Sequence, residues 1–261
     1  MHFSKYSLLA VAATALAAPS TSCKDLQRSN PPRNFGVVMY NSFDLLDISG
    51  SVEPLFLLSS QQRLNLSLIA ETLEPVHMRP APGESYTAGS HFQLSINPTH
   101  TFADPPPDID VLFVPGGGGE RFGDNSAAVD FVRRTYPKVR YLITVCTGAG
   151  VAAQAGVLDG KRATTNKWAW KDVVSNGNNV QWTSPARWVV DGNIWTASGV
   201  VSGIDVIFEF METFYGEEIV RLIQNATEHK RTYDPCDDPF AAWNKVPPSG
   251  DCRLTPYLHH E

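Results

Sequence analysis

Cys146 is the residue of this chain best placed for covalent chemistry. It follows a five-residue apolar run, Tyr141 to Val145, and precedes Thr147-Gly148-Ala149-Gly150. A strand that breaks into small residues and then a helix lifts the intervening side chain onto a turn, where backbone and ligand approach it closely. A helix N-terminus beside a thiol favours the thiolate, its nucleophilic form. The competing reading is a buried structural cysteine that behaves as a small hydrophobe. Two more apolar runs end in unusual residues. Phe35 to Tyr40 leads toward Asp47, and Ile109 to Val114 leads into Pro115 and four glycines. The backbone N–H groups of Gly116, Gly117 and Gly118 are candidates for an oxyanion site, because glycines let amides point at a developing charge. Asp47, set among Leu45, Leu46 and Ile48, reads locally as a turn or cap residue for a helix beginning near Ser49, or else as a buried functional carboxyl. Asp44 is expected in an exposed loop.

Other chemistries find no support. No Gly-Lys-Ser or Gly-Lys-Thr follows the glycines, so they do not form a phosphate loop, and they make a poor dinucleotide fingerprint. There is no Gly-x-Ser-x-Gly elbow for a serine hydrolase. His77, His91, His100 and His229 lack ligand spacing, so neither a metal nor a cofactor is expected. A net charge of −6 without a basic block argues against a nucleic-acid partner.

The elements that must position these residues belong to a chain of 261 residues, 43% hydrophobic and 18% charged, which suits one α/β domain with extensions. Strands are expected at Phe35 to Tyr40, Leu64 to Ala70, Ile109 to Val114 and Tyr141 to Val145. A hairpin is expected around Asp191-Gly192. Helices are expected over Val52 to Leu58, Ala127 to Tyr136, Val151 to Ala155, Val206 to Phe214 and Glu217 to Ala226. Apolar strands alternating with helices imply a mainly parallel sheet covered on both faces, with ligands beyond the strands' carboxyl ends. Trp168, Trp170, Trp182, Trp188 and Trp195 are expected to pack the core and hairpin. Glu53 and Asp205 are read as structural polar groups.

Residues 1–17 carry the marks of a signal peptide: Lys5, an apolar run from Leu8 to Ala18, and small residues at Ala15 and Ala17. The run is too short for a membrane anchor. The expected organisation is signal peptide 1–17, linker 18–33, α/β domain 34–232 and tail 233–261, in a protein secreted or held in the secretory lumen, with no membrane association after cleavage. In an oxidising compartment Cys23, Cys236 and Cys252 can supply one disulfide; Cys236 with Cys252 closes the shortest loop, and Cys23 with either remains open. Asn65 and Asn225 begin acceptor sequons for N-glycosylation.

Taken in order, Phe35 to Gly50 (FGVVMYNSFDLLDISG), Val111 to Gly119 (VLFVPGGGG), Val145 to Gly148 (VCTG), Gly156 to Thr165 (GVLDGKRATT) and Ser202 to Asp205 (SGID) resemble the ThiJ/PfpI superfamily of class I glutamine amidotransferase-like proteins. The similarity runs over roughly residues 34 to 240 and is closest to the isonitrile hydratase branch, here as a eukaryotic, secreted-type member. The resemblance implies a flavodoxin-like three-layer α/β/α sandwich and a homodimer acting on a small-molecule substrate. It also implies a catalytic set of Asp47, Cys146 and Thr147, and so raises Asp47 from cap to acid. Many relatives carry a histidine after the Thr-Thr pair. This chain has Asn166-Lys167-Trp168 there, which weakens a cysteine–histidine hydrolase reading and leaves Asn166 and Trp168 as candidate substrate-binding residues. The implied activity is addition of water to an isonitrile. The alternatives are a glyoxalase- or deglycase-like enzyme acting on small aldehydes, and a non-catalytic binding or redox-stress protein.

Overall fold

Strands that are apolar on both faces need a layer on each side, and the chain supplies two. In the computed structural model, which describes residues 30–83 and 89–253, strand β1 (Asn34–Val38) is followed by helix α1 (Leu45–Leu58). Then come β2 (Asn65–Ala70), β3 (Val76–Met78), β4 (Leu94–Ile96), β5 (His100–Thr101) and β6 (Val111–Val114). Helices α2 (Gly118–Phe122) and α3 (Ser126–Thr135) precede β7 (Tyr141–Val145) and α4 (Gly148–Gln154). The chain continues through β8 (Arg162–Ala163), α5 (Trp170–Val174), β9 (Gln181–Trp182), β10 (Trp188–Asp191) and β11 (Ile194–Ala197). Helices α6 (Ser202–Tyr215), α7 (Glu217–Ala226) and α8 (Phe240–Trp243) complete it.

Seven strands form one sheet in the order β10-β11-β7-β6-β1-β2-β5, parallel except for β10, which pairs with β11 as the expected hairpin. Alternate residues of each central strand feed opposite layers. Val37, Phe113, Ile143 and Val145 face α1, α6 and α7, where Phe208, Phe210 and Phe214 are fully buried. Val38, Leu112, Val114 and Leu142 face α3 and α4. Successive connections leave β1 in one direction along the sheet and β6 in the other. The switch point between these neighbours opens a crevice at their carboxyl ends.

Helix boundaries moved in two informative places. Helix α1 starts at Leu45 rather than near Ser49, so Asp47 lies inside its first turn and is not a cap; Asp44 holds the N-cap position without a side-chain cap bond. Helix α4 starts at Gly148, immediately beyond the cysteine turn. Of the tryptophans, Trp170, Trp188 and Trp195 are buried as expected, whereas Trp168 is 74% exposed.

The signal segment and Cys23 lie outside the described residues. The tail is docked as far as Arg253, with Cys236 and Cys252 joined in a disulfide. Arg187 donates its N–H to the Pro235 carbonyl (2.7 Å), and Ser184 and Ser249 exchange two backbone hydrogen bonds. The central fastening is ionic. Lys167 Nζ, almost wholly buried, lies 3.0 Å from Asp238 Oδ2 and donates to Thr164 Oγ1, the Thr165 and Ala186 carbonyls and Ser198 Oγ. Burial pulls its pKa down to about 8 against the opposing pull of Asp238. Removing one member of such a pair strands the other charge. Lys167→Met is therefore expected to lower unfolding free energy by roughly 3–5 kcal/mol in urea titrations, and Lys167→Met/Asp238→Leu to recover most of the loss.

Candidate active site

The cysteine turn is a strained elbow. Cys146 has φ 58°, a left-handed conformation that non-glycine residues enter at a cost of about 1–3 kcal/mol. Neighbouring bonds fix it there: its N–H donates to the Ala197 carbonyl (3.2 Å) and its carbonyl accepts from Thr165 Oγ1 (2.8 Å). The thiol is the one free cysteine among the described residues, and it is buried. Asn166 Nδ2 donates to Sγ (3.3 Å), and the Thr147 N–H also points at the sulfur.

Asp47 reaches the elbow from α1 and is fully buried. Its Oδ2 accepts the Gly116 N–H at 2.7 Å, while Oδ1 is buried with no hydrogen-bond partner. One oxygen each of Asp47 and Asp44 and the Cys146 sulfur all lie within 4.8 Å of one another. The sequence suggested an exposed Asp44; it is instead half-buried at this cluster. Burial raises the Asp47 pKa to about 8, with the charge of Asp44 adding to the rise and the Gly116 amide opposing it. Burial, then Asp47 and Asp44, push the thiol well above its ordinary value. These effects overrule the thiolate expected from the α4 N-terminus. Both shifts favour the protonated acid and thiol over carboxylate and thiolate.

The glycine run also differs from expectation. Gly117 N–H donates to Thr147 Oγ1 (2.9 Å), and Thr147 Oγ1 donates to the Gly117 carbonyl (3.2 Å). The Gly116 and Gly117 amides are thus spent on Asp47 and Thr147 and do not form an oxyanion hole. Thr147 is correspondingly a brace between the glycine loop and the elbow. Gly118 opens α2 and lines a cleft of about 190 Å³ with Asp44. Gly117 has φ 141°, and a Cβ there would sit 2.3 Å from the Ser42 carbonyl oxygen and 2.7 Å from Phe43 Cα. Gly117→Ala is expected to lower the melting temperature sharply, losing about 3 kcal/mol or more, because the α1 entry that carries Asp44 and Asp47 must shift.

Asn166 also lines a cavity of about 360 Å³, together with Trp168, Val200, Val201, Ser198, Phe240 and Asn244 among others. Asn166 thus meets both the sulfur and this cavity, and both residues expected to bind substrate, Asn166 and Trp168, line it. Sequence reasoning missed two buried groups. Lys167 had no signal beyond its place in the departing triplet. Glu120, beneath the elbow helix, accepts from Asn176 (2.8 Å) and Gln154 (3.3 Å), with a pKa raised by burial to about 7. Its one sequence trace is Gly150, where a Cβ would come within 2.1 Å of Glu120 Oε1. Asp205, read as structural, accepts from Arg187 Nε (2.7 Å) and lies 2.8 Å from His229 Nε2.

A strained cysteine thus ends a central parallel strand, with a carboxyl rising toward it from the first helix. The DJ-1/PfpI family model matches residues 58–213. This chain belongs to the DJ-1/PfpI family. It is 32% identical over 195 residues to the isonitrile hydratase of Pseudomonas putida, covering 74% of this chain and 77% of that protein. A deglycase of Pyrococcus horikoshii is 34% identical over 96 residues, 36% of this chain and 55% of that protein. Among solved structures, a ThiJ/PfpI family protein from Pseudomonas syringae superposes with TM-score 0.62 at 25% identity, covering 88% and 87% of the two chains. The fold is the α/β sandwich with a mainly parallel sheet shared by these DJ-1/PfpI proteins.

Proposed function

We propose that this protein hydrates an isonitrile to an N-substituted formamide through Cys146. The observation that carries the reading is a buried carboxyl from α1 held within 4.8 Å of a buried thiol on a strained elbow. The 32% identity to an isonitrile hydratase supports it. Sγ attacks the terminal carbon of R–N≡C. Asp47 gives its proton to that carbon and takes up the thiol proton, so the product is a thioimidate, R–N=CH–S–Cys146, with Asp47 again protonated. Water then adds across the C=N bond: its oxygen joins carbon, and Asp47 passes a proton to nitrogen and recovers one from the water. The tetrahedral adduct collapses to R–NH–CHO as the hydroxyl proton returns, through Asp47, to the departing sulfur. A carboxyl of pKa about 8 suits a group that must be an acid first and a base next. Asn166, donating to Sγ, would stabilise the thiolate as it forms and as it leaves.

Acid-quenched protein mixed with cyclohexyl isocyanide should show an intact mass increased by one isonitrile. Its absence from a protein that still makes formamide would exclude the covalent route. A second reading, addition of the thiol to a small aldehyde, is favoured by the deglycase relative; methylglyoxal turnover without isonitrile turnover would select it. We also read the chain as an exported homodimer. The Cys236–Cys252 disulfide and the exposed side chains of Asn65 and Asn225 support export.

A further inference from the structure

We infer that the tail is the outer wall of the substrate chamber, and that Phe240 on it sets which isonitriles are accepted. This rests on the hydratase reading for the reacting group and goes beyond it for the rest of the substrate. The cavity that Asn166 lines, at about 360 Å³, falls within the size of small-ligand sites. One wall comes from the α/β domain: Trp168, Val200 and Val201. The other comes from the tail: Asp238, Phe240 and Asn244. Trp168 and Phe240 are 74% and 45% exposed, with the Arg121 guanidinium 4.7 Å over the Trp168 ring and Phe240 packed edge-on against Trp243 at 5.0 Å.

The wall is fixed in place. Asp238, two residues before Phe240, is held by Lys167 and by the Ala186 N–H (3.3 Å). Cys236 is tied to Cys252, whose neighbour Asp251 accepts from Arg162 through its carbonyl (3.2 Å). Lys167 lies between the two residues that matter most here, Asn166 on the sulfur and Trp168 on the cavity. Docking of the tail and placement of the thiol's donor therefore share one buried ion pair. An isonitrile with its carbon at Sγ passes Asn166 and extends its substituent between Trp168 and Phe240. The substrate class is thus an isonitrile bearing an aryl or alicyclic group, gripped by ring contacts, within a wall whose polar members are Asn166, Ser198, Ser202, Asn244, Arg187 and the Lys167–Asp238 pair.

The test compares native protein with Phe240→Ala and Phe240→Trp, using cyclohexyl and methyl isocyanide as substrates. N-cyclohexylacetamide, which cannot react, serves as a calorimetric binding probe on the Cys146→Ala background. Phe240→Ala should cut the cyclohexyl-to-methyl ratio of kcat/KM about tenfold, chiefly through KM. That is about 1.4 kcal/mol, the scale of withdrawing part of a phenyl ring from contact. The amide's Kd should rise by a similar factor, and Phe240→Trp should restore both. Active protein with an unchanged ratio would overturn the inference. If no isonitrile is turned over, the hydratase reading fails and the amide decides alone. A Kd weakened by Phe240→Ala and restored by Phe240→Trp upholds the chamber, whereas an indifferent Kd or no binding removes it.

Discussion

Cys146→Ala is expected to abolish formamide production, with a loss of at least about a thousandfold in kcat, while leaving the fold in place. Without the sulfur no thioimidate forms, and the remaining acid can offer only general catalysis, which is worth about 10²–10⁴-fold. The fold should tolerate the change. Alanine fills most of the cysteine's volume, and the left-handed φ of 58° is equally awkward for either residue. The bonds to the Ala197 carbonyl and from Thr165 use the backbone of residue 146, not its side chain. Product mass and thermal melts on the same preparation check both halves of the claim.

The second large effect joins activity to stability. Asp47→Asn should lose turnover by about 10²-fold or more while raising the melting temperature at pH 8. The sign follows from the raised pKa. Folded Asp47 binds its proton up to about pH 8, whereas in the unfolded chain it releases it near 3.8. Between these values the native state holds more protons than the unfolded one, so stability falls as pH rises through the window. Asparagine keeps an oxygen for the Gly116 N–H and has no proton to lose. The gain at pH 8 should be on the order of 5 kcal/mol, shrinking toward pH 4. In native protein kcat/KM should decline above about pH 8 as the pair gives up its acid proton. A variant that gains stability by losing an ionisable catalytic group reflects the strain that active sites hold. Equal melting profiles for the two proteins between pH 5 and 8.5 would show that Asp47 is not a buried acid.

The layers were legible from the chain because their signals are local. Runs such as Val111 to Val114 and Tyr141 to Val145 are too apolar for a half-exposed strand, and Gly148 after Thr147 marks the elbow directly. Asp47 was ambiguous for the same reason: four residues of context make a cap, and only the arrival of Gly116 from 69 residues away makes a buried acid. The glycine run suggested free amides because composition reports flexibility but not partners; Thr147 and Asp47 had already claimed them. The state of the thiol was misjudged likewise. A helix N-terminus can be read from sequence, while complete burial beside two carboxyls cannot. The ion pair that fastens the tail was not legible, since Lys167 and Asp238 are ordinary surface residues until 71 positions of chain fold between them and leave both dry.

The most direct measurement is turnover of cyclohexyl isocyanide in H₂¹⁸O, followed by product mass, for the native protein and Cys146→Ala. The account predicts N-cyclohexylformamide carrying one ¹⁸O from the native protein and none above the uncatalysed rate from the variant. Formamide from both at equal rates, or from neither, would contradict it.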